Sequence, residues 1–181
     1  LVANVMLVAK GVPLGTPSRE LLRKKQLEEY ITVAGDLLKR FGARIVLPQD
    51  LAYVQDGVRR EIRVEQLPVE QLLADIGPAT AEEFGRLIKG ARTIFYNGPS
   101  GVFEKPETAF GTQAVLGAIA ASEAFSVIGG GDSIAAVNKF KLAGGISYIS
   151  TGGGALVRFL SGEELPIIPQ LKRAAQRFPA R

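Results

Sequence analysis

The chain has 181 residues, enough for one domain with a real core. Hydrophobic residues make up 46% and charged residues 22%, which is the composition of a folded globular protein. The net charge is +4; cysteine and histidine are both absent, which excludes disulfides, thiolate or histidine metal sites, and histidine-based catalysis.

Leu1–Lys10 is a short apolar run ended by Gly11, readable as a strand or a buried helix. The start has neither Met nor a basic segment, so it reads as a fragment boundary and not a signal peptide. No apolar run reaches membrane-spanning length, so no membrane partner is expected and the cytoplasm is the expected location. Pro13, Gly15 and Pro17 form a loop. Ser18 is then expected to cap one long amphipathic helix, Arg19 to about Phe41, with Gly42 at its C-cap. The basic stretch Arg19–Lys25 lies on that helix among Glu20, Glu28 and Glu29, so it reads as a solvated face and nucleic acid is not expected as a partner. Residues 44–48 are expected to form a buried strand, and 49–67 short antiparallel pieces or an irregular edge. Asp75–Thr80 reads as a turn, with Thr80 capping a helix that reaches about Gly90 and holds Glu82 and Glu83 in its first turn.

From residue 93 the pattern becomes regular. Strands are expected at Thr93–Tyr96, Phe125–Ile128 and Ser147–Ile149. Each runs into a glycine turn: Asn97–Gly101, Gly129–Asp132 and Ser150–Gly154. Helices follow around Thr112–Ser122, from Ser133 to about Phe140, and to about Leu160. Such alternation implies an α/β fold with a parallel sheet, and ligands in such folds bind beyond the carboxyl ends of the strands.

A glycine turn that feeds a helix aims free N–H groups and the positive end of a dipole at one spot, where phosphate commonly binds. Tight strand–helix packing also selects glycine, so one turn alone decides little. Asp132 suits either a helix N-cap or an Mg²⁺ ligand. Ser133 could bind phosphate or cap the same helix. Asn97 could read a ligand or form an Asx-turn. Glu104 could accept ribose hydroxyls or serve as a surface ion-pair partner. There is no G-x-x-x-x-G-K-[ST] sequence and no G-x-G-x-x-G after a strand.

Three segments together carry a resemblance: Asn97-Gly98-Pro99-Ser100-Gly101-Val102-Phe103-Glu104, Val127-Ile128-Gly129-Gly130-Gly131-Asp132-Ser133, and Ile149-Ser150-Thr151-Gly152-Gly153-Gly154-Ala155. In order and spacing they resemble the C-terminal, nucleotide-binding half of phosphoglycerate kinases. Leu47-Pro48, Asp75-Ile76-Gly77-Pro78 and Leu165-Pro166 fall where that family has similar elements. The resemblance implies a three-layer αβα domain over 1–165 with a mainly parallel, Rossmann-like sheet, and a tail at 166–181. It implies Mg²⁺ with ADP or ATP as ligand. Asn97 and Pro99 would line the nucleotide, Glu104 would hold the ribose, and Leu73 and Ala74 would form the adenine wall. Gly130, Gly131 and Ser133 would cradle phosphates, and Asp132 would ligate the metal. Thr151 and Gly152 would face the transferring phosphoryl group. The N-terminal domain with the 3-phosphoglycerate site, and a lysine stretch at the start of the C-terminal domain, are not in this sequence. The isolated chain is therefore expected to be an inactive, monomeric nucleotide-binding half; a non-catalytic nucleotide-binding module is the alternative. Departures from the family pattern are Tyr96 for a usual Trp, Tyr148 for a frequent His, Ser100 for an apolar residue, Leu73 where glycine is common, and a phenylalanine displaced to Phe110.

Overall fold

The computed structural model describes residues 1–178; residues 179–181, the end of the expected tail, lie outside the described residues. The N-terminal run is helical, α1 (Val2–Ala9). Gly11, at φ 90°, ends it, and the amides of Gly11 and Val12 return to the carbonyls of Val8 and Leu7. The expected long helix is two helices, α2 (Thr16–Lys24) and α3 (Tyr30–Phe41). The break uses the same hydrogen-bond pattern, with Gln26 at φ 55° where glycine is usual, and Leu27 N–H bonded to Leu22 O. Gly15, not Ser18, is the N-cap of α2. Ser18 is buried inside the helix and accepts the amide of Leu73. Gly42 does follow α3, but in right-handed geometry, and it opens a short 3₁₀ turn over Gly42–Arg44. Residues 45–48 are not a strand, because no strand runs beside them among the described residues.

Of the two readings for 49–67, the antiparallel pieces form. β1 (Asp50–Gln55) and β2 (Val58–Arg63) make a hairpin. Its two-residue Asp56-Gly57 loop has both φ angles positive, which matches the twist of the strands. β3 (Asp75–Ile76) pairs on the other side of β1. Helix α4 (Pro78–Lys89) starts two residues before Thr80, so Thr80 does not cap it and Glu82 and Glu83 lie beyond its first turn. Pro78 needs no N–H partner at that position. The carboxylate of Asp50 takes the free amides of Ala79 (3.0 Å) and Thr80 (2.8 Å). The Thr80 hydroxyl instead accepts the amides of Gln49 and Asp50, which fastens the helix to β1.

The second half is the expected α/β unit. Strands β4 (Thr93–Asn97), β5 (Phe125–Gly129) and β6 (Tyr148–Ser150) form a parallel sheet in that order. Helices α5 (Phe110–Ala120), α6 (Gly131–Lys139) and α7 (Gly154–Leu160) follow the strands. Tyr96, Ser126 and Ile128 point into the core, with Val115, Leu116, Ile119, Ala136 and Val137 buried around them. Phe95, Phe125 and Tyr148 lie on the opposite face and are exposed. Helix α8 (Ile167–Arg177) forms in the expected tail and has no buried residue. No helix among the described residues is long and apolar enough to cross a membrane.

Candidate functional site

Parallel pairing sets Asn97, Gly129 and Ser150 side by side at the carboxyl ends of β4, β5 and β6. The three glycine turns therefore leave the sheet at one edge, as the alternation predicted. Each holds one glycine in the left-handed region: Gly98 (φ 95°), Gly130 (φ 91°) and Gly153 (φ 48°).

The first two turns are bonded to each other. Ser133 is fully buried, and its Oγ accepts the amide of Gly98 at 2.7 Å. Its hydroxyl hydrogen remains available to donate. Asn97 is exposed at the end of β4, and a Cβ added to Gly130 would sit 2.5 Å from its Oδ1. A side chain at position 130 would thus push Asn97 out of place.

Helix α6 begins with Gly130 as N-cap and has no side-chain cap. Its first-turn amides, on Gly131, Asp132 and Ser133, are free of intrahelical bonds. Asp132 lies within that first turn and is not the N-cap; its carboxylate is exposed. Of the two sequence readings, the capping one is removed. Among the described residues no group of three or more His, Cys, Asp or Glu could hold a metal alone. A lone carboxylate still fits Mg²⁺ that arrives with phosphate oxygens and water, since that ion commonly takes only one or two protein carboxylates.

Glu104 is exposed and half a loop away from Pro99. The Lys139 ammonium, from the last turn of α6, donates to the carbonyls of Phe103 (2.6 Å) and Glu104 (3.1 Å). The amide of Gly101 reaches Thr112 Oγ1, and Thr108 Oγ1 donates to Val102 O at 2.6 Å. Ala74 is half-buried beside this loop, its carbonyl bonded to the amide of Val102. Leu73 is 6% exposed and packs into the core, so its side chain presents little surface. Thr151 and Gly152 are exposed and precede the N-cap of α7; the Gly152 amide bonds to Ser150 Oγ. Leu156 of α7 lies against Gly129, which ties the third turn to the second.

Beneath the site are groups that sequence reasoning missed. The Asp75 side chain is fully buried and meets Arg59 Nη1 at 2.8 Å and the Gly111 amide at 2.9 Å. Burial pushes its carboxyl above the usual range, against the opposing pull of Gly111 and Arg59. The Tyr96 hydroxyl is buried beside Ser100 with no partner in good hydrogen-bond geometry among the described residues, and desolvation pushes it up to about 12. These pairings join residues 16 to 36 positions apart, so no local pattern signals them. Two hollows lie over α4 and α8, away from the glycine turns. At the glycine edge Asn97, Gly98, Gly131, Asp132, Thr151 and Gly152 are all exposed.

The phosphoglycerate kinase family profile matches residues 1–163. The phosphoglycerate kinase of Methanothermobacter thermautotrophicus is 42% identical over 174 residues, 96% of this chain and 42% of the relative. That of Pyrococcus horikoshii is 44% identical over 182 residues, 98% of this chain and 44% of the relative. The crystal structure of the Pyrococcus horikoshii OT3 phosphoglycerate kinase superposes with a TM-score of 0.89 at 43% identity, covering 98% of this chain and 44% of that one. The phosphoglycerate kinase structure from Coxiella burnetii gives 0.82 at 32% identity, over 98% and 45%. The chain thus spans under half the length of the relatives it matches, and it belongs to the phosphoglycerate kinase family.

Proposed function

We propose that this chain is the Mg-nucleotide-binding half of a phosphoglycerate kinase. The whole enzyme would transfer a phosphoryl group reversibly between 1,3-bisphosphoglycerate and ADP, giving ATP and 3-phosphoglycerate in glycolysis. The observation that carries this reading is the common edge of the three glycine turns, two of them bonded through Ser133 and Gly98, in a member of this family.

The free amides of Gly131 and Asp132 attract phosphate oxygens, helped by the dipole of α6. Ser133 steadies that cradle, and Gly130 lets the backbone come close. Mg²⁺, bound with the nucleotide, would neutralise phosphate charge, and Asp132 is its protein ligand. Glu104 accepts the ribose hydroxyls, while Asn97 and Pro99 line the nucleotide between the phosphates and the sugar. Ala74, with the backbone of Leu73, borders the adenine. Thr151 and Gly152 turn toward the transferring group. Phosphoryl transfer asks the protein for positioning and charge stabilisation rather than covalent chemistry, so a chain without histidine or cysteine is no obstacle. An N-terminal domain carrying the 3-phosphoglycerate site is the implied partner. A monomeric whole enzyme in the cytoplasm completes the reading. Alone, this half binds nucleotide weakly and turns nothing over.

Calorimetric titration of ADP, with and without Mg²⁺, into the wild type and Asp132→Ala tests the reading. The expected outcome is a loss of about tenfold in affinity for Mg-ADP in the variant, with metal-free ADP unaffected. Equal Mg-ADP binding by both proteins would remove Asp132 from the site. No ADP binding by the wild type would sink the reading.

A further inference from the structure

Lys139 stands about two turns along α6 from Asp132, at the opposite end of the helix. Its Nζ donates to two consecutive carbonyls, Phe103 and Glu104, and lies 5.8 Å from the centre of the Phe103 ring. Hydrogen bonds from a charged donor are stronger than neutral ones. Phe103 is itself buried, so this cation grips a fixed point of the loop. Elsewhere the loop is held at its flanks, by Thr112 on Gly101 and by Thr108 on Val102. The Glu104–Lys105 peptide has one further hold among the described residues, the Lys105 N–H on Val102 O at 3.3 Å, so Lys139 supplies the charged hold on its carbonyl side. Lys139 also sits next to an acidic residue and yet bonds to its carbonyl; the Glu104 carboxylate makes no ion pair or hydrogen bond among the described residues. The carboxylate therefore stays free for a ligand while its backbone is pinned.

We propose that Lys139 is a positioning residue that sets the distance between the ribose-reading carboxylate and the phosphate-reading end of the same helix. The proposal rests on the nucleotide reading of the site. Helix α6 acts as a strut: its N-terminus meets the phosphates, and its last turn holds the loop that meets the sugar. Removing the ammonium should loosen sugar recognition and leave phosphate recognition intact. A residue needed only for stability would weaken both together.

The experiment uses the wild type, Lys139→Met and Lys139→Arg. Each is titrated with Mg-ADP, Mg-3′-deoxy-ADP and Mg-tripolyphosphate, and amide exchange is followed at Lys105, whose N–H bonds to Val102 O. In Lys139→Met, ADP is expected to weaken about tenfold and the preference for ADP over its 3′-deoxy analogue to fall toward one. Tripolyphosphate binding stays at the wild-type level. Exchange at Lys105 speeds up even without ligand. Lys139→Arg, which keeps a charged donor, retains the sugar preference. A preference kept in Lys139→Met, or a parallel loss of tripolyphosphate, overturns the role of Lys139 while the nucleotide reading stands. A wild type with no sugar preference overturns the assignment of Glu104 and the strut with it.

Discussion

Asp75 is the residue on which the two halves of the fold meet. Its Oδ2 takes Arg59 and the Gly111 amide, and its Oδ1 finds no partner. Gly101 and Gly111 both abut the carboxylate with no room for a Cβ. Arg59 also donates to Ile76 O and Glu107 O and lies over the Phe110 ring. One ion pair thus joins β2, β3, the Glu107 segment and the start of α5. Such a pair carries a desolvation penalty that its own attraction can fail to offset. The raised carboxyl of Asp75 reports that imbalance. The native state holds this proton more tightly than the unfolded chain does, whose value is 3.8. Its contribution to stability is therefore full below pH 3.8 and is lost as pH rises through the higher native value. Asp75→Asn keeps the shape and cannot titrate. The stability difference, wild type minus Asp75→Asn, should shrink as pH rises through that window in urea denaturation. A difference that widens would refute the assignment. Asp75→Ala removes the acceptor for Arg59 and Gly111 at once and should cost about 3 kcal/mol at neutral pH, a figure tempered by the partial exposure of Arg59.

At the scale of elements, the junction of β4, β5 and α6 holds the first two glycine turns together. Gly130 combines a left-handed backbone with close approach to Asn97 Oδ1. Gly130→Ala should lose about 1–3 kcal/mol, part from backbone strain and part from displacing Asn97. Adding Asn97→Ala removes the second part alone. The double variant should therefore recover some of the loss, a coupling readable in a double-mutant cycle by thermal or urea unfolding. This junction was legible in the chain, because an apolar run, a glycine turn and a helix recur three times. The hairpin was half legible, since weak alternation around Gly57 read as antiparallel pieces or an irregular edge. What escaped was set by contacts distant in sequence or by glycine's absence where the backbone still turns left-handed. Gln26 and Lys141 end α2 and α6 at φ 55° and 58°, so the first break looked like continuing helix. Ser18 and Thr80 looked like caps, but distant residues claim their hydroxyls. Residues 44–48 have strand composition and no neighbouring strand. Of the candidate site, Asp132 and the glycines were visible from pattern. Lys139 was not, since its acceptors are carbonyls 36 and 35 residues away.

Over the whole molecule, the parallel sheet is covered unevenly. Strands of a parallel sheet are normally buried on both faces by helices. Here the inner face packs on the core, while Phe95, Phe125 and Tyr148 on the other are 44%, 57% and 56% exposed. These three aromatics fall on one side of three paired strands, with half-buried Val127 between Phe95 and Tyr148 in register. Leu156 of α7 reaches that side at Gly129. Exposed apolar area of this kind binds hydrophobic dyes and promotes self-association. The chain on its own should therefore enhance the fluorescence of an anilinonaphthalene dye and sediment as more than a monomer at high concentration. Replacing the three aromatics by threonine keeps strand propensity while removing the apolar rings. That variant should lose most of the dye signal and sediment as a monomer, with its far-ultraviolet circular dichroism unchanged. A dye signal that survives the triple substitution would place the sticky surface elsewhere. The next candidate is α8, a helix with no buried residue on which Ile167 and Leu171 are exposed, with Phe178 exposed just beyond its end.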